Sequence, residues 1–126
     1  MGVMDKKICL DTDVCIAILR DEPRAVGLRE KIKESEVYVS VITMFELLLR
    51  KTNLQVIDEF LAHVHHIPID DGVSRKASTL HKELAKKGEL IDIRDLFIAA
   101  ACLTNNIDLL TYNRNHFERI KDLHCL

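Results

Sequence analysis

Residues 88–113 read GELIDIRDLFIAAACLTNNIDLLTYN, which parses as a loop, a nearly all-apolar helix, a short turn and a strand. From Leu96 to Leu103 the helix carries no charge, and a helix that is apolar all round is a buried one. Asp92 and Asp95 stand at its opening. Asp95 therefore lies where a buried element begins, and an ionised carboxylate there needs a partner. Two further acids share that setting. Asp11 ends the apolar run Ile8-Cys9-Leu10, and Glu46 interrupts the run from Met44 to Leu49.

Outward from that stretch, the pattern alternates short strands with helices. Lys6 to Leu10 predicts a strand, and Thr12 or Asp13 can cap a helix that Asp21-Glu22-Pro23 stops. Residues 24–34 carry an apolar stripe of Ala25, Leu28 and Ile32. Residues 36–40 have the β-branched and aromatic content of a strand. Thr43 and Glu46 have capping-box spacing, predicting a helix from Thr43 to about Lys51. Asn53 is expected to cap the next helix, with Ile57, Phe60, Leu61 and Val64 on its buried side. Residues 66–69 read as a third strand. A long helix follows, repeating Val73, Ala77, Leu80 and Leu84, with Gly88 as its stop. Its other face carries Arg75, Lys76, Lys82, Lys86 and Lys87, read as solvated surface. Residues 107–111 read as the last main strand, residues 113–120 as a loop and short helix, and His124-Cys125-Leu126 as a candidate edge strand. The alternation means an α/β fold with a mostly parallel sheet, and ligands of such sheets bind beyond the carboxyl ends of the strands.

With 126 residues, 48% of them apolar and 30% charged, the chain suits one domain spanning 1–126 with a core of its own. A net charge of −2 provides no global basic field, so nucleic acid would be held by local patches or through a metal bridging to phosphate. No apolar run reaches membrane-spanning length, and the N-terminus lacks a signal-peptide core. Cys9, Cys15, Cys102 and Cys125 have no CxxC spacing, and three lie in apolar runs, as reduced core thiols of a cytoplasmic protein do. His63, His65 and His66 have no further ligands at zinc spacing.

Each acid also has a structural reading. Asp11 can cap the first helix, Glu46 can return the Thr43 capping box or pair with Arg50, and Asp92 and Asp95 suit a helix N-terminus. Together they point elsewhere. Converging carboxylates without a cation repel, and at least one pKa must rise. Mg2+ or Mn2+ removes that repulsion, keeps several waters and binds phosphate oxygens, the combination used to hydrolyse phosphodiesters.

Leu10-Asp11-Thr12-Asp13-Val14, the segment Ser40-Val41-Ile42-Thr43-x-x-Glu46-Leu47, Asp95-x-x-Ile98-Ala99-Ala100, and Leu110-Thr111-x-Asn113 with His116-Phe117 together resemble the PIN-domain family. Their order and spacing are most similar to those of VapC-type toxins of toxin–antitoxin pairs, and the likeness runs over essentially the whole chain. The resemblance implies a three-layer α/β/α fold around a mostly parallel sheet of four to five strands. It implies a Mg2+- or Mn2+-dependent endoribonuclease, the toxin of a type II pair, with RNA as substrate, a cognate antitoxin as partner and a homodimeric state. Carried onto this chain, Asp11, Glu46 and Asp95 are the metal-binding acids, Thr12 is a supporting hydroxyl, and Thr111 orients a carboxylate or water. Many members have a fourth acid where this chain has Asn113, which can hold water or phosphate but adds no charge. Asp92, or else Asp13, is the candidate to compensate.

Two other classes compete. Asp11-Thr12-Asp13 after a strand also resembles the nucleophile loop of haloacid-dehalogenase-type phosphatases, but Cys15 stands where that family expects Thr and no late acidic pair follows. A non-catalytic PIN-like RNA-binding or regulatory module is the other, distinguished by failing to bind manganese.

Overall fold

The computed structural model describes residues 6–126; the reading of the N-terminus as lacking a signal sequence falls largely on residues 1–5, outside the described part. Strand β1 (Lys6–Leu10) is followed by α1 (Thr12–Leu19), a 3-10 turn (Pro23–Ala25), α2 (Val26–Lys33) and β2 (Ser35–Ser40). Then come α3 (Val41–Leu48), α4 (Leu54–Ala62), β3 (His65–Ile67), α5 (Asp71–Lys86), α6 (Ile93–Asn105), β4 (Asp108–Leu110) and α7 (Arg114–Phe117). The sheet runs β3-β2-β1-β4, and every pairing in it is parallel. The C-terminal segment adds an isolated parallel bridge, Leu109 to Cys125.

Alternation along β1 sorts the core into two layers, because successive strand side chains point to opposite faces. Cys9 and its partner Leu109 pack with α5 and α6, through Val73, Ala77, Leu80, Leu84 and the all-apolar stretch of α6. Ile8, Leu10 and Leu110 face the other way, with Val14, Leu47, Ile57 and Leu61 from α1, α3 and α4. Helices thus cover both faces, as expected of a sheet whose strands are buried on each side.

Helix ends explain how chain and sheet stay in register. Gly88, at φ +67°, closes α5: its N–H donates to Ala85 O and the Glu89 N–H to Leu84 O, the two bonds of a Schellman cap. Asn106, also left-handed, ends α6, with Ile107 N–H donating to Cys102 O at 3.0 Å. That turn delivers the chain into β4.

Three local expectations need correction. Helix α3 starts at Val41 rather than Thr43, because the Ser40 hydroxyl accepts from the Thr43 N–H at 3.2 Å and caps it. Glu46 is therefore the sixth residue of α3 and not in its first turn, so no capping box forms. Asn53 precedes α4 in a left-handed conformation without a side-chain cap. Arg50 lies beyond the end of α3 at Leu48 and lines a surface groove with Leu19, Asn53 and Val56 instead of standing one turn above Glu46.

Candidate active site

The order β3-β2-β1-β4 makes the chain depart in opposite directions on either side of β1, and the carboxyl ends of β1 and β4 flank that switch point. Asp11 follows β1 and Thr111 follows β4. The Asp11 N–H donates to Leu110 O at 2.9 Å, which extends the pairing of the two strands by one residue and brings the side chains together. Asp11 is 5% exposed. Its Oδ2 accepts from the Thr111 hydroxyl at 2.7 Å and its Oδ1 from the Thr12 N–H at 2.9 Å, so it also caps α1. Among the described residues no cation pairs with it. Burial pushes its carboxyl up to about 6, against the pull of Thr111, and the charges of Asp13 and Glu46 push the same way.

Thr12 turns to the neighbouring helix. Its hydroxyl donates to Glu46 Oε1 at 2.6 Å and lies 3.1 Å from the Thr43 hydroxyl. Glu46 Oε2 accepts from Arg94 Nη1 at 3.2 Å. Asp95, third residue of α6, lies 3.4 Å from His116 Nδ1; burial raises its pKa, the Asp11 charge adds to the rise, and His116 opposes it. Asp11 thus feels Glu46, and Asp95 feels Asp11. Among the described residues, no three His, Cys, Asp or Glu side chains are gathered into a ready-made ligand cluster.

Asp92 caps α6, accepting the Arg94 N–H at 2.8 Å, and both its oxygens take the Arg94 guanidinium. The guanidinium holds its carboxyl below the ordinary range. Asp13 is half-buried. Its Oδ2 accepts from the Asn113 amide at 3.0 Å and the Tyr112 N–H at 3.2 Å, while its buried Oδ1 has no partner among the described residues. Burial raises its pKa as well. Asn113 in turn donates its N–H to the Thr111 hydroxyl at 2.9 Å.

A profile of the PIN domain matches residues 8–123. The chain belongs to the PIN-domain family. It is 32% identical to ribonuclease VapC19 of Mycobacterium tuberculosis, over 90% of this chain and 94% of that one. It is 26% identical to the tRNA(fMet)-specific endonuclease VapC of Shigella flexneri, over 93% of this chain and 94% of the relative. Among solved structures it resembles the DNA-bound VapBC of Salmonella typhimurium, with a TM-score of 0.86 at 26% identity, over 96% of this chain and 97% of that one.

Two members of this PIN domain's site were missed in the sequence. Arg94 lies 48 residues after Glu46 in sequence, beside Asp95 at the start of α6. Its side chain curls back over its own helix start onto Asp92 and Glu46. His116, from the His116-Phe117 pair of the last motif, is the neighbour of Asp95. Glu46 and Asp95 therefore each have one basic neighbour, and among the described residues Asp11 has none.

The donor set suits a hard divalent cation. Carboxylate oxygens are the ligands such ions favour, Asp11 is buried with no counter-charge among the described residues, and a guanidinium and an imidazole stand by the other two acids. His63, His65 and His66 contact Glu59 O, Glu36 and Leu61 O respectively and belong to no such site.

Proposed function

We propose that this PIN domain is a Mg2+- or Mn2+-dependent endoribonuclease, the toxin of a type II toxin–antitoxin pair. One observation carries the reading. Asp11 is buried at the strand switch point, and among the described residues each of its oxygens is oriented by a single donor and no cation meets it, an arrangement costly for a structural residue and apt for a metal ligand. Ribonuclease and endonuclease names among the relatives and the VapBC assemblies among the structural neighbours support RNA as substrate and an antitoxin as partner. Family membership removes the dehalogenase-type phosphatase from consideration. Among the described residues no helix is long and apolar enough to cross a membrane, and we place the protein in the cytoplasm.

Asp11, Glu46 and Asp95 would hold the ion. When bound, it lowers the pKa of a water and neutralises charge on the phosphate under attack. The chain's own contribution is orientation. Thr111 and the Thr12 N–H fix the two Asp11 oxygens, and the Thr12 hydroxyl fixes Glu46 by fastening α3 to the end of β1. Outer hydrogen bonds of this type typically change metal affinity or activity by about 10–100-fold. Asn113 is held by Asp13 at the site's edge, where its amide can meet water or phosphate. Asp92, bound up with Arg94, contributes through that arginine or by turning from it towards a second ion.

The test is cleavage of an RNA panel with Mn2+ or with chelator, for the parent and for Glu46→Gln and Asp95→Asn. Cleavage should need the metal and fall by about 100-fold or more in each variant, with circular dichroism unchanged. Metal-independent cleavage, or full activity in both variants, rules the reading out.

A further inference from the structure

Glu46 is gripped from two sides. Thr12 holds Oε1, and Oε2, the oxygen left for an ion, is taken by Arg94. The Arg94 guanidinium is also forked against Asp92, with Nε 3.2 Å from Oδ1 and Nη2 3.3 Å from Oδ2. Side-chain exposure is 20% for Glu46 and 56% for Arg94, so the arginine approaches Glu46 from the solvent side. Asp92, near half-exposed, gives it a second place to stay.

We propose that Arg94 is a resident counter-ion that competes with the divalent metal for Glu46 and is kept at the mouth of the site by Asp92. The proposal rests on the metal-dependent reading above. Without metal, the guanidinium offsets the repulsion Glu46 would otherwise feel from Asp11 through its one contact to Oε2, while its planar fork engages Asp92. For Asp11, Glu46 and Asp95 to share an ion, Oε2 must be released. Metal uptake and departure of Arg94 from Glu46 are then one exchange, and the freed guanidinium remains on Asp92 beside the ion. Arg94 therefore stabilises the metal-free protein and weakens metal binding, the opposite of a residue that helps hold the ion.

The test is calorimetric titration of the full chain with Mn2+ alone, with no RNA present, for the parent, Arg94→Gln and Arg75→Gln. Arg75 removes the same charge at a distance: it pairs with exposed Asp71 near the start of α5, where Gly72 sits by Thr104 at the opposite end of α6 from Asp95. Arg94→Gln should tighten Mn2+ binding about five-fold, the scale of one partly exposed ion pair, and lower the melting temperature in chelator but not in saturating Mn2+. Arg75→Gln should leave the affinity within about two-fold. An unchanged or weaker affinity in Arg94→Gln, or equal tightening in both variants, overturns the proposal. Because no cleavage is measured, a protein that binds Mn2+ in this pattern yet cuts no RNA counts against the nuclease reading alone. A parent that takes up no Mn2+ overturns both.

Discussion

Replacing Asp11 by Asn should stabilise the metal-free protein, and by an amount the structure sets. Burial pushes the Asp11 carboxyl from an ordinary 3.8 up to about 6, and each tenfold change in proton affinity is worth about 1.4 kcal/mol. At pH 8 the folded chain therefore carries an ionised Asp11 at a cost of about 3 kcal/mol. Asn keeps an oxygen for the Thr12 N–H and can donate to the Thr111 hydroxyl, so most of the local bonding survives. Imperfect fit reduces the gain to about 1–3 kcal/mol, on the order of 5–10 °C in melting temperature for a domain of this size. Linkage sets the sign with pH. Between about 4 and 6 the folded state binds more protons at Asp11 than the unfolded state, so the parent loses this contribution as pH rises through that window and Asn does not. The gap between variant and parent should be near zero at pH 4, open through pH 6 and stay level above pH 7. Excess Mn2+ should reverse the order, since an ion at about 100 times its Kd adds about 3 kcal/mol to the parent alone. The assay is thermal melting in chelator and in Mn2+ across pH 4–8. A variant that melts at or below the parent at pH 8 in chelator shows Asp11 to be a structural cap and not a metal ligand.

Removing the Thr12 hydroxyl in Thr12→Val leaves Glu46 Oε1 unfixed, and RNA cleavage should drop by about 10–100-fold with the circular dichroism spectrum intact; undiminished cleavage shows that this 2.6 Å contact has no part in the reaction. Asn113→Asp replaces the amide donor facing Asp13 with a second carboxylate, so melting in chelator should fall by about 1–3 kcal/mol equivalent while calorimetry detects a second, weaker Mn2+ ion. Two equally tight ions in the parent would contradict this. On α4 Leu54 and Val56 are exposed, and Phe45, Leu48 and Leu49 are exposed on and just after α3. Apolar side chains of this kind mark an interface when they form one patch, so sedimentation should give a dimer that Leu49→Glu dissociates; a monomeric parent at high concentration speaks against it.

The fold class was legible because periodicity carries it. The uncharged run from Leu96 to Leu103 reads as a buried helix, Lys6 to Leu10 reads as a strand, and their alternation with amphipathic helices such as α5 points to a mostly parallel sheet. Asp11, Glu46 and Asp95 stood out for the same reason, as charges in stretches that otherwise avoid water. These are properties of single segments, and local sequence determines them.

What tertiary structure alone decided is which partner each acid meets. Ser40, and not Thr43, starts α3, because the strand runs straight into the helix and its last hydroxyl is the one in reach; that moves Glu46 out of the first turn and up to Thr12. The long side chain of Arg94 leaves its own helix face and reaches an acid 48 residues away on another helix. Asp13 and Asn113, 100 residues apart, share a hydrogen bond because β1 and β4 are neighbours in the sheet. Pairings across such separations depend on strand order and helix placement, which the packing of the whole chain determines and no local pattern encodes.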